Sequence, residues 1–179
     1  MFSLIYNKIQ KVVLNRNLKH LKSFGINNDI SIGCRFLFPE NIQLGSNIYI
    51  GPNAEVNGLG GIIIKDGVII GPNLIIHSAN HNYKDSKYLP YDELFEFRKV
   101  IINENVWIGG NVIVVPGAEI GEGCIVGAGT VVSGKIPPLS IIVGNPCKII
   151  KQRDSEHYFK LKNNNQIYMK YKKENLIIK

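Results

Sequence analysis

The sequence predicts a mainly β chain, a parallel β-helix of six-residue repeats with helical segments at both ends. Aliphatic residues followed by a small residue recur six residues apart or at multiples of six. The 18 glycines among 179 residues supply the tight turns that so short a spacing requires. A period of six fits neither an α-helix nor a plain strand, whose periods are about 3.6 and about 2.

The repeat extends over most of the chain. Its aliphatic–glycine pairs are Ile32-Gly33, Leu44-Gly45, Ile50-Gly51, Ile70-Gly71, Ile108-Gly109, Ile120-Gly121 and Val126-Gly127. Intervening slots keep the aliphatic residue without the glycine, at Phe38, Val56, Ile64, Ile76, Ile102, Val114 and Val132. Because one coil cannot bury its own apolar face, we expect stacked coils with a continuous inward ladder. The alternative, a β-sandwich, requires turn signals about every 8–12 residues and alternating strands.

The repeat is interrupted in two places. Two extra residues enter between Val56 and Ile64, in the segment Asn57–Gly61. A longer excursion, rich in polar and aromatic residues, separates Ile76 from Ile102 and forms a predicted loop at residues 77–100. Insertions in solenoids form loops on one face, often the binding face, so we expect the chemistry here.

The two ends differ in composition from the repeat. Apolar residues at near-helical spacing alternate with basic ones from Met1 to Lys22, which predicts an amphipathic helix over residues 1–25. We expect it to pack on the solenoid, and attachment to an anionic membrane surface is the alternative. The β-helix then spans residues 26–151, and a basic helix or tail spans residues 152–179.

Composition excludes several classes of protein. The net charge of +7 and the pI near 9.3 favour an anionic ligand. No apolar run approaches the roughly 20 residues of a membrane span, and Lys8 and Lys11 interrupt any signal-peptide core. We therefore expect a cytoplasmic protein, and we assign it no nucleic-acid partner. The cysteines are too scattered for a disulfide framework or a metal site: Cys34, Cys124 and Cys147.

Three further segments carry a family resemblance beside the ladder: HSANHNY at 77–83, the V-W-I-G to G-A-G run at 105–132, and GNPCKII at 144–150. Together they resemble the left-handed β-helix acyltransferases, and within them the acetyl-CoA-dependent sugar O-acetyltransferases of the galactoside, maltose and nodulation-factor group. The resemblance covers residues 30–151. It implies a left-handed solenoid, acetyl-CoA as cosubstrate, and a homotrimer with active sites in the clefts between neighbouring solenoids.

The same resemblance assigns the general base. Aligning the segment from Pro72 to His81 with the family places the catalytic histidine on His81, and His77 is the alternative. A neutral imidazole there would accept the proton of the acceptor and return it to the departing thiolate. His20 and His157 fall in the terminal segments, where we expect solvated roles.

Other positions are carried over in the same way. Asn57 matches an asparagine near the acceptor hydroxyl, although a plain turn residue explains it equally well. The backbone N–H of Gly110 matches the donor to the thioester oxygen. The resemblance implies the following further cofactor contacts: Trp107 at the wall of the site, Ala128 and Ser133 along the pantetheine arm, and Lys148 and Lys151 at the CoA phosphates. Lys135 is displaced by one residue from the family's other basic position, which leaves its contact with CoA open.

The group that orients His81 is also open, with Asp85, Asp92, Glu93, Glu96 and a backbone carbonyl as candidates. The resemblance implies O-acetylation of a saccharide hydroxyl in surface polysaccharide biosynthesis. The alternatives are N-acetylation of a nucleotide-linked amino sugar, a xenobiotic acetyltransferase, and a non-catalytic scaffold. A carbonic-anhydrase-like relative is disfavoured because it needs three histidine ligands and the excursion supplies two.

Overall fold

A computed structural model describes residues 2–175. Helix α1 (Phe2–Lys19) precedes a solenoid whose walls are three parallel sheets. Sheet A comprises β1 (Ser23–Phe24), β4 (Ile42–Leu44), β7 (Ile62–Ile64), β12 (Val100–Ile102), β15 (Glu119–Ile120) and β18 (Lys135–Ile136). Sheet B comprises β2 (Asp29–Ile30), β5 (Tyr49–Ile50), β8 (Ile69–Ile70), β13 (Trp107–Ile108), β16 (Ile125–Val126), β19 (Ser140–Val143) and the antiparallel β20 (Lys148–Gln152). Sheet C comprises β3 (Arg35–Leu37), β6 (Glu55–Asn57), β9 (Ile75–His77), β14 (Ile113–Val114) and β17 (Val131–Val132).

The chain visits sheets A, B and C in turn, so three corners run along the solenoid: A–B, B–C and C–A. The predicted fold class is confirmed. The excursion leaves at the C–A corner between β9 and β12, and it contains its own antiparallel hairpin of β10 (Ala79–His81) and β11 (Phe95–Phe97). Strand β1 lies within the segment at 1–25, so the solenoid starts before residue 26.

The aliphatic ladder forms the core. Its members from Leu44 onward are at most 1% exposed: Leu44, Ile50, Val56, Ile64, Ile70, Ile76, Ile102, Ile108, Val114, Ile120, Val126 and Val132. A second buried position follows four residues after many of them, as at Ile48, Val68, Leu74, Val106 and Val112. Burial of branched side chains in every coil is the main source of stability, at about 1.5–3 kcal/mol for each side chain.

The predicted phase of the ladder was wrong in the first coil. Ile32 and Phe38 are 37% and 43% exposed, whereas Phe36 is buried and Ile30 packs against the core. The physical reason is a one-turn 3-10 helix at Pro39–Asn41, which adds two residues at the C–A corner. Counting back by six from Leu44 therefore misses the inward residues by two.

Asparagine supplies many of the left-handed turn residues. At the B–C corner Asn53, Asn73 and Asn111 all have φ near +60°, a conformation in which asparagine costs less than most residues. Their amides form a ladder along the corner, with Nδ2 of Asn53 donating to Asn73 Oδ1 at 3.4 Å and Nδ2 of Asn73 to Asn111 Oδ1 at 2.9 Å. The turns of successive coils therefore stabilise one another.

Helices at both ends contact the solenoid. In α1, Leu14 is buried against the core, whereas Ile5, Ile9, Val12 and Val13 are exposed. Within residues 2–175, no helix is long and apolar enough to cross a membrane. Met1 and residues 176–179 of the predicted terminal segments lie outside the described residues.

The C-terminal helices are α2 (Ser155–Asn163) and α3 (Tyr168–Asn175). Tyr158 attaches α2 to the A–B corner: its buried hydroxyl donates to Glu122 Oε1 at 2.7 Å and accepts from Asn105 Nδ2 at 3.1 Å. Burial, together with the carboxylate of Glu122, raises the pKa of the Tyr158 hydroxyl. The C-terminal helices thus lie beside sheet B and away from the excursion.

Candidate functional site

The excursion is tied to the solenoid at its base. Ser78, which directly follows β9, is fully buried. Its hydroxyl donates to the carbonyl of Asn57 at 2.8 Å and accepts from the N–H of Gly60 at 2.9 Å. Its carbonyl accepts from the N–H of Arg98 at 2.8 Å, where the excursion returns. The hairpin that carries His81 therefore leaves the C–A corner from a fixed point.

His81 lies at the end of β10, opposite Phe95 in β11. Its ring stacks on Tyr91, with centroids 3.8 Å apart and planes at 19°, and it lies 4.6 Å from the ring of Phe95. The residue is exposed, and its side chain has no hydrogen-bond partner within the described chain. The imidazole is held by ring contacts, so its nitrogens are available to a hydroxyl or amine group of an acceptor substrate.

None of the four acids proposed to orient His81 hydrogen-bonds to it. Asp92 is buried and accepts from the N–H of Leu94 at 3.0 Å, Asn82 Nδ2 at 3.1 Å and the N–H of Lys87 at 3.3 Å. Burial acts to raise the pKa of Asp92, but these hydrogen bonds and the charge of Lys87 outweigh it, so the pKa is lowered. Asp92 holds the excursion loop together as a carboxylate.

The other three acids are also occupied elsewhere or exposed. Glu96 accepts from Arg98 Nη2 at 2.6 Å, and this hydrogen bond lowers the pKa of Glu96. Asp85 and Glu93 are exposed and have no ion pair with the described residues. The groups that contact the imidazole, Tyr91 and Phe95, were not among the residues predicted from the sequence. Their signal was the F-E-F alternation of β11 and the aromatic Tyr91 just before it.

Asn57 and His77 are paired in register on adjacent strands of sheet C. Oδ1 of Asn57 accepts the N–H of Leu59 at 3.3 Å, which closes the turn made by the two extra residues at 57–61. His77 is half-buried at the end of β9, four residues before His81. Both residues lie at the base of the excursion, on the same corner as His81.

Gly110 lies on a different corner. It follows β13 at the B–C turn, directly above Pro72, and 18 residues before Ala128 in the next coil. In two earlier coils this turn position holds proline, Pro52 and Pro72, which has no N–H, so the fold does not use the donor there. Within residues 2–175 the N–H of Gly110 has no acceptor. It is available to a ligand oxygen.

The remaining predicted residues are spread over sheet B and the C–A corner. Trp107 faces outward from β13 into a groove of about 330 Å³, beside Arg153 and the helices α2 and α3. Lys148 and Lys151 are exposed on β20. Ser133 lies at the C–A corner beyond β17. Lys135 begins β18 just after this corner, and its Nζ forms a 3.3 Å ion pair with Glu119.

The candidate catalytic residues, together with Ala128, therefore form two groups. Asn57, His77 and His81 lie at the C–A corner, whereas Gly110 and Ala128 lie at the B–C corner with the width of sheet C between them. One chain does not bring the candidate base and the candidate oxyanion donor together. Among the described residues, no group of three or more His, Cys, Asp or Glu side chains could hold a metal ion.

A β-helix of six-residue repeats with an exposed histidine on an excursion defines the class of hexapeptide-repeat transferases. A family model described as bacterial transferase hexapeptide (six repeats) matches residues 99–134. The crystal structure of a maltose O-acetyltransferase from Clostridium difficile 630 is 33% identical, with a TM-score of 0.67, over 79% of this chain and 74% of that one. The chain belongs to the hexapeptide-repeat acetyltransferases.

Two further relatives refine the comparison. Galactoside O-acetyltransferase of Escherichia coli (strain K12) is 33% identical over 132 residues, which are 70% of this chain and 62% of that protein. AntD, an N-acyltransferase from Bacillus cereus in complex with dTDP and 3-hydroxybutyryl-CoA, is 25% identical, with a TM-score of 0.69, over 87% of this chain and 96% of that one. The chain spans 57–62% of the length of the first curated relatives it matches.

Proposed function

We propose that the protein is an acetyl-CoA-dependent O-acetyltransferase that acts on a saccharide hydroxyl, with His81 as general base. One observation carries the proposal: on this family's scaffold, the excursion presents an exposed imidazole that is held by aromatic rings and has no hydrogen-bond partner among the described residues. Relatives named for galactoside and maltose acetylation support a saccharide acceptor. We place the reaction in surface polysaccharide biosynthesis.

The transfer is direct in this proposal. A neutral His81 accepts the proton of the acceptor hydroxyl while its oxygen attacks the thioester carbon. The tetrahedral intermediate collapses, the C–S bond breaks, and the imidazolium returns the proton to the departing CoA thiolate. The products are the acetyl ester and free CoA, and neither metal nor covalent enzyme intermediate is needed.

Gly110 supplies the oxyanion donor in this proposal. Its N–H has no acceptor among residues 2–175, and such a donor contributes a few kcal/mol to transition-state stabilisation. Because Gly110 and His81 lie on different corners, the donor comes from a second copy whose B–C corner faces the first copy's C–A corner. This supports the homotrimer implied by the family resemblance.

The CoA contacts follow the same logic. Ala128 stacks on the Gly110 turn, where a small residue lets the pantetheine arm lie close to the backbone. Lys148 and Lys151 have no ion-pair partner within the described chain and are available to the CoA phosphates. Lys135 is already paired with Glu119, so we assign it a smaller contribution to CoA binding than Lys148 and Lys151. In this proposal Trp107, Ser133 and Asn57 line the site.

The proposal includes a cytoplasmic location, where acetyl-CoA is made. The exposed apolar side chains of α1, Ile5, Ile9, Val12 and Val13, lie on the same helix as Lys8 and Lys11. A helix of this composition suits the inner face of a membrane, and lipid-linked acceptors belong in the assay.

The decisive measurement is release of CoA thiol from acetyl-CoA against a panel of saccharides, nucleotide-linked amino sugars and lipid-linked sugars. We expect His81→Ala to lower the rate by about 10²–10⁴-fold, because it removes the general base. His77→Ala tests the alternative base, and His157→Ala in α2 serves as the matched control with an unchanged rate. Full activity in His81→Ala would rule out the assignment.

N-acetylation of a nucleotide-linked amino sugar is the second candidate. The AntD complex with dTDP and an acyl-CoA favours it, because that protein is an N-acyltransferase with a nucleotide bound. The same base serves either nucleophile. If amine acceptors in the panel are acetylated faster than hydroxyl acceptors, the protein is an N-acetyltransferase.

A further inference from the structure

A second groove lies beside the excursion, on the outer face of sheet A. Its volume is about 250 Å³, and Lys22, Lys99, Phe97, Asn41, Gln43 and Gly61 are among the residues that line it. The stem of Lys99 lies over Gly61, where a Cβ would be 3.5 Å from Lys99 Cε. The backbone of Lys22 is fixed by hydrogen bonds from its N–H to the carbonyls of Pro39 and Ile42. Two lysines thus line one groove.

Neither lysine is neutralised within the described chain. Lys22 and Lys99 form no ion pair or side-chain hydrogen bond there. The nearby acids do not reach them: Glu96 is paired with Arg98, and Glu40 in the Pro39–Asn41 turn makes no ion pair with either lysine. Two unpaired ammonium groups with neutral polar neighbours suit a phosphate, which lysine binds as a point charge.

The groove is connected to His81 through one face of the β10–β11 hairpin. His81 is opposite Phe95, and Ala79 is opposite Phe97, so the four side chains share a face. Phe97, which lines the groove, lies two residues from Phe95, which contacts the imidazole. This step is about 7 Å along the strand. Phe95 and Phe97 thus form an apolar path from the candidate base to the groove that the two lysines line.

We infer that the groove binds the phosphate of a glycosyl phosphate acceptor. The reacting hydroxyl lies at His81, the sugar lies along Phe95 and Phe97, and the anomeric phosphate or diphosphate lies between Lys22 and Lys99. The chemistry is shared by sugar 1-phosphates, nucleotide sugars and polyprenyl-diphosphate sugars. This inference rests on the proposed function, since it names the acceptor class of that site.

The test uses the hexose that is active in the acceptor panel, presented as the free sugar, its 1-phosphate, its UDP derivative and its polyprenyl diphosphate in detergent. We expect the wild type to have a KM at least about tenfold lower for the phosphorylated forms, a difference of about 1.4 kcal/mol. The form with the lowest KM identifies the source. Equal KM values for the free and phosphorylated sugars overturn the inference.

A charge-removing variant locates the effect. We expect Lys22→Gln/Lys99→Gln to raise the KM for the phosphorylated acceptor about tenfold, with kcat and the KM for acetyl-CoA unchanged. Lys22→Arg/Lys99→Arg keeps the charges and is expected to retain most of the affinity. Lys160→Gln/Lys173→Gln, which removes two exposed charges on α2 and α3 outside the groove, is the matched control. A double glutamine variant with an unchanged KM contradicts the inference.

Direct binding separates this inference from the proposed function. UDP-glucose and glucose 1-phosphate are titrated into the wild type and the double glutamine variant, with ³¹P line broadening as the readout. If no acceptor is acetylated, the proposed function fails. If the wild type nevertheless broadens the ³¹P signals and the double glutamine variant does not, the groove is still supported as a phosphate site. Broadening that persists in the variant, or none with the wild type, overturns the groove as a phosphate site.

Discussion

On sheet B, Ile70, Ile108 and Val126 follow one another with their side chains buried, whereas in the excursion His81, Tyr91 and Phe95 are all exposed. The ladder repeats one contact in every coil, so each side chain is supported from above and below. The excursion is held by non-repeated contacts: Ser78 at its base, Asp92 in its loop and the ring stack at its tip. The buried ladder and the segment that carries the proposed base are therefore stabilised by different kinds of contact.

The largest expected effect lies in the ladder. Ile108→Ala removes a side chain with no exposed surface and leaves a cavity between two coils. We expect the free energy of unfolding to fall by about 2–5 kcal/mol, measured by urea denaturation. Ile26→Ala is the matched control, because Ile26 is 72% exposed, and we expect less than about 0.5 kcal/mol there. Equal losses of unfolding free energy at Ile108 and Ile26 would contradict the conclusion that the buried ladder is the main source of stability.

The excursion loop supplies the second effect, which depends on pH. The folded-state pKa of Asp92 is lowered relative to the unfolded chain, so its hydrogen bonds stabilise the loop fully above the unfolded value of about 3.9. That contribution is lost as the pH falls through the lower folded value. We expect the backbone amide NMR signals of Asn82 and Leu94 to shift as the pH falls below about 4.

Two variants of the loop sharpen this prediction. Asp92→Asn removes the charge and places an amide donor among N–H donors, so we expect a less ordered loop at every pH and no acid transition. Asp85→Asn changes the same loop at an exposed position without such hydrogen bonds, and we expect the transition to remain. A transition that survives in Asp92→Asn would show that another group controls the loop.

The ladder could be predicted from the sequence because each coil repeats the same chemistry. A branched aliphatic every six residues and a glycine or asparagine in the left-handed turn position determine the coil almost alone. The prediction went out of phase at Ile32 and Phe38, because the extra turn at Pro39–Asn41 occurs once and carries no periodic signal. A periodic pattern predicts the repeated coils, but it does not predict an insertion that occurs only once.

The site was predicted less completely for the same reason. His81 is proposed as the base by resemblance, but its ring partners Tyr91 and Phe95 come from a hairpin that has no counterpart in other coils. The sequence left the group that orients the imidazole open between four acids and a backbone carbonyl, and the buried acid among them, Asp92, binds the loop backbone. By contrast, Gly110 and Ala128 are 18 residues apart, which is one full coil of three six-residue repeats. Their position at the same corner could therefore be predicted from the sequence.

The smallest expected effect concerns how the imidazole is held. Tyr91→Leu removes the ring that stacks on His81, whereas Tyr91→Phe keeps it. A stacked aromatic pair contributes about 0.5–1.5 kcal/mol, so, given the proposed function, we expect kcat to fall about two- to tenfold in the leucine variant only. The KM for acetyl-CoA should remain unchanged in both, because Tyr91 acts through His81 and not on the cofactor.

A spectroscopic readout separates positioning from loss of structure in these two variants. The ring current of Tyr91 shifts the His81 imidazole protons upfield, and that shift should persist in Tyr91→Phe and decrease in Tyr91→Leu. If the leucine variant loses activity while the imidazole signals keep their positions, Tyr91 contacts the acceptor itself. If both signals and kcat are unchanged, Phe95 alone holds the ring, because it is the other aromatic side chain in contact with His81 in the described chain.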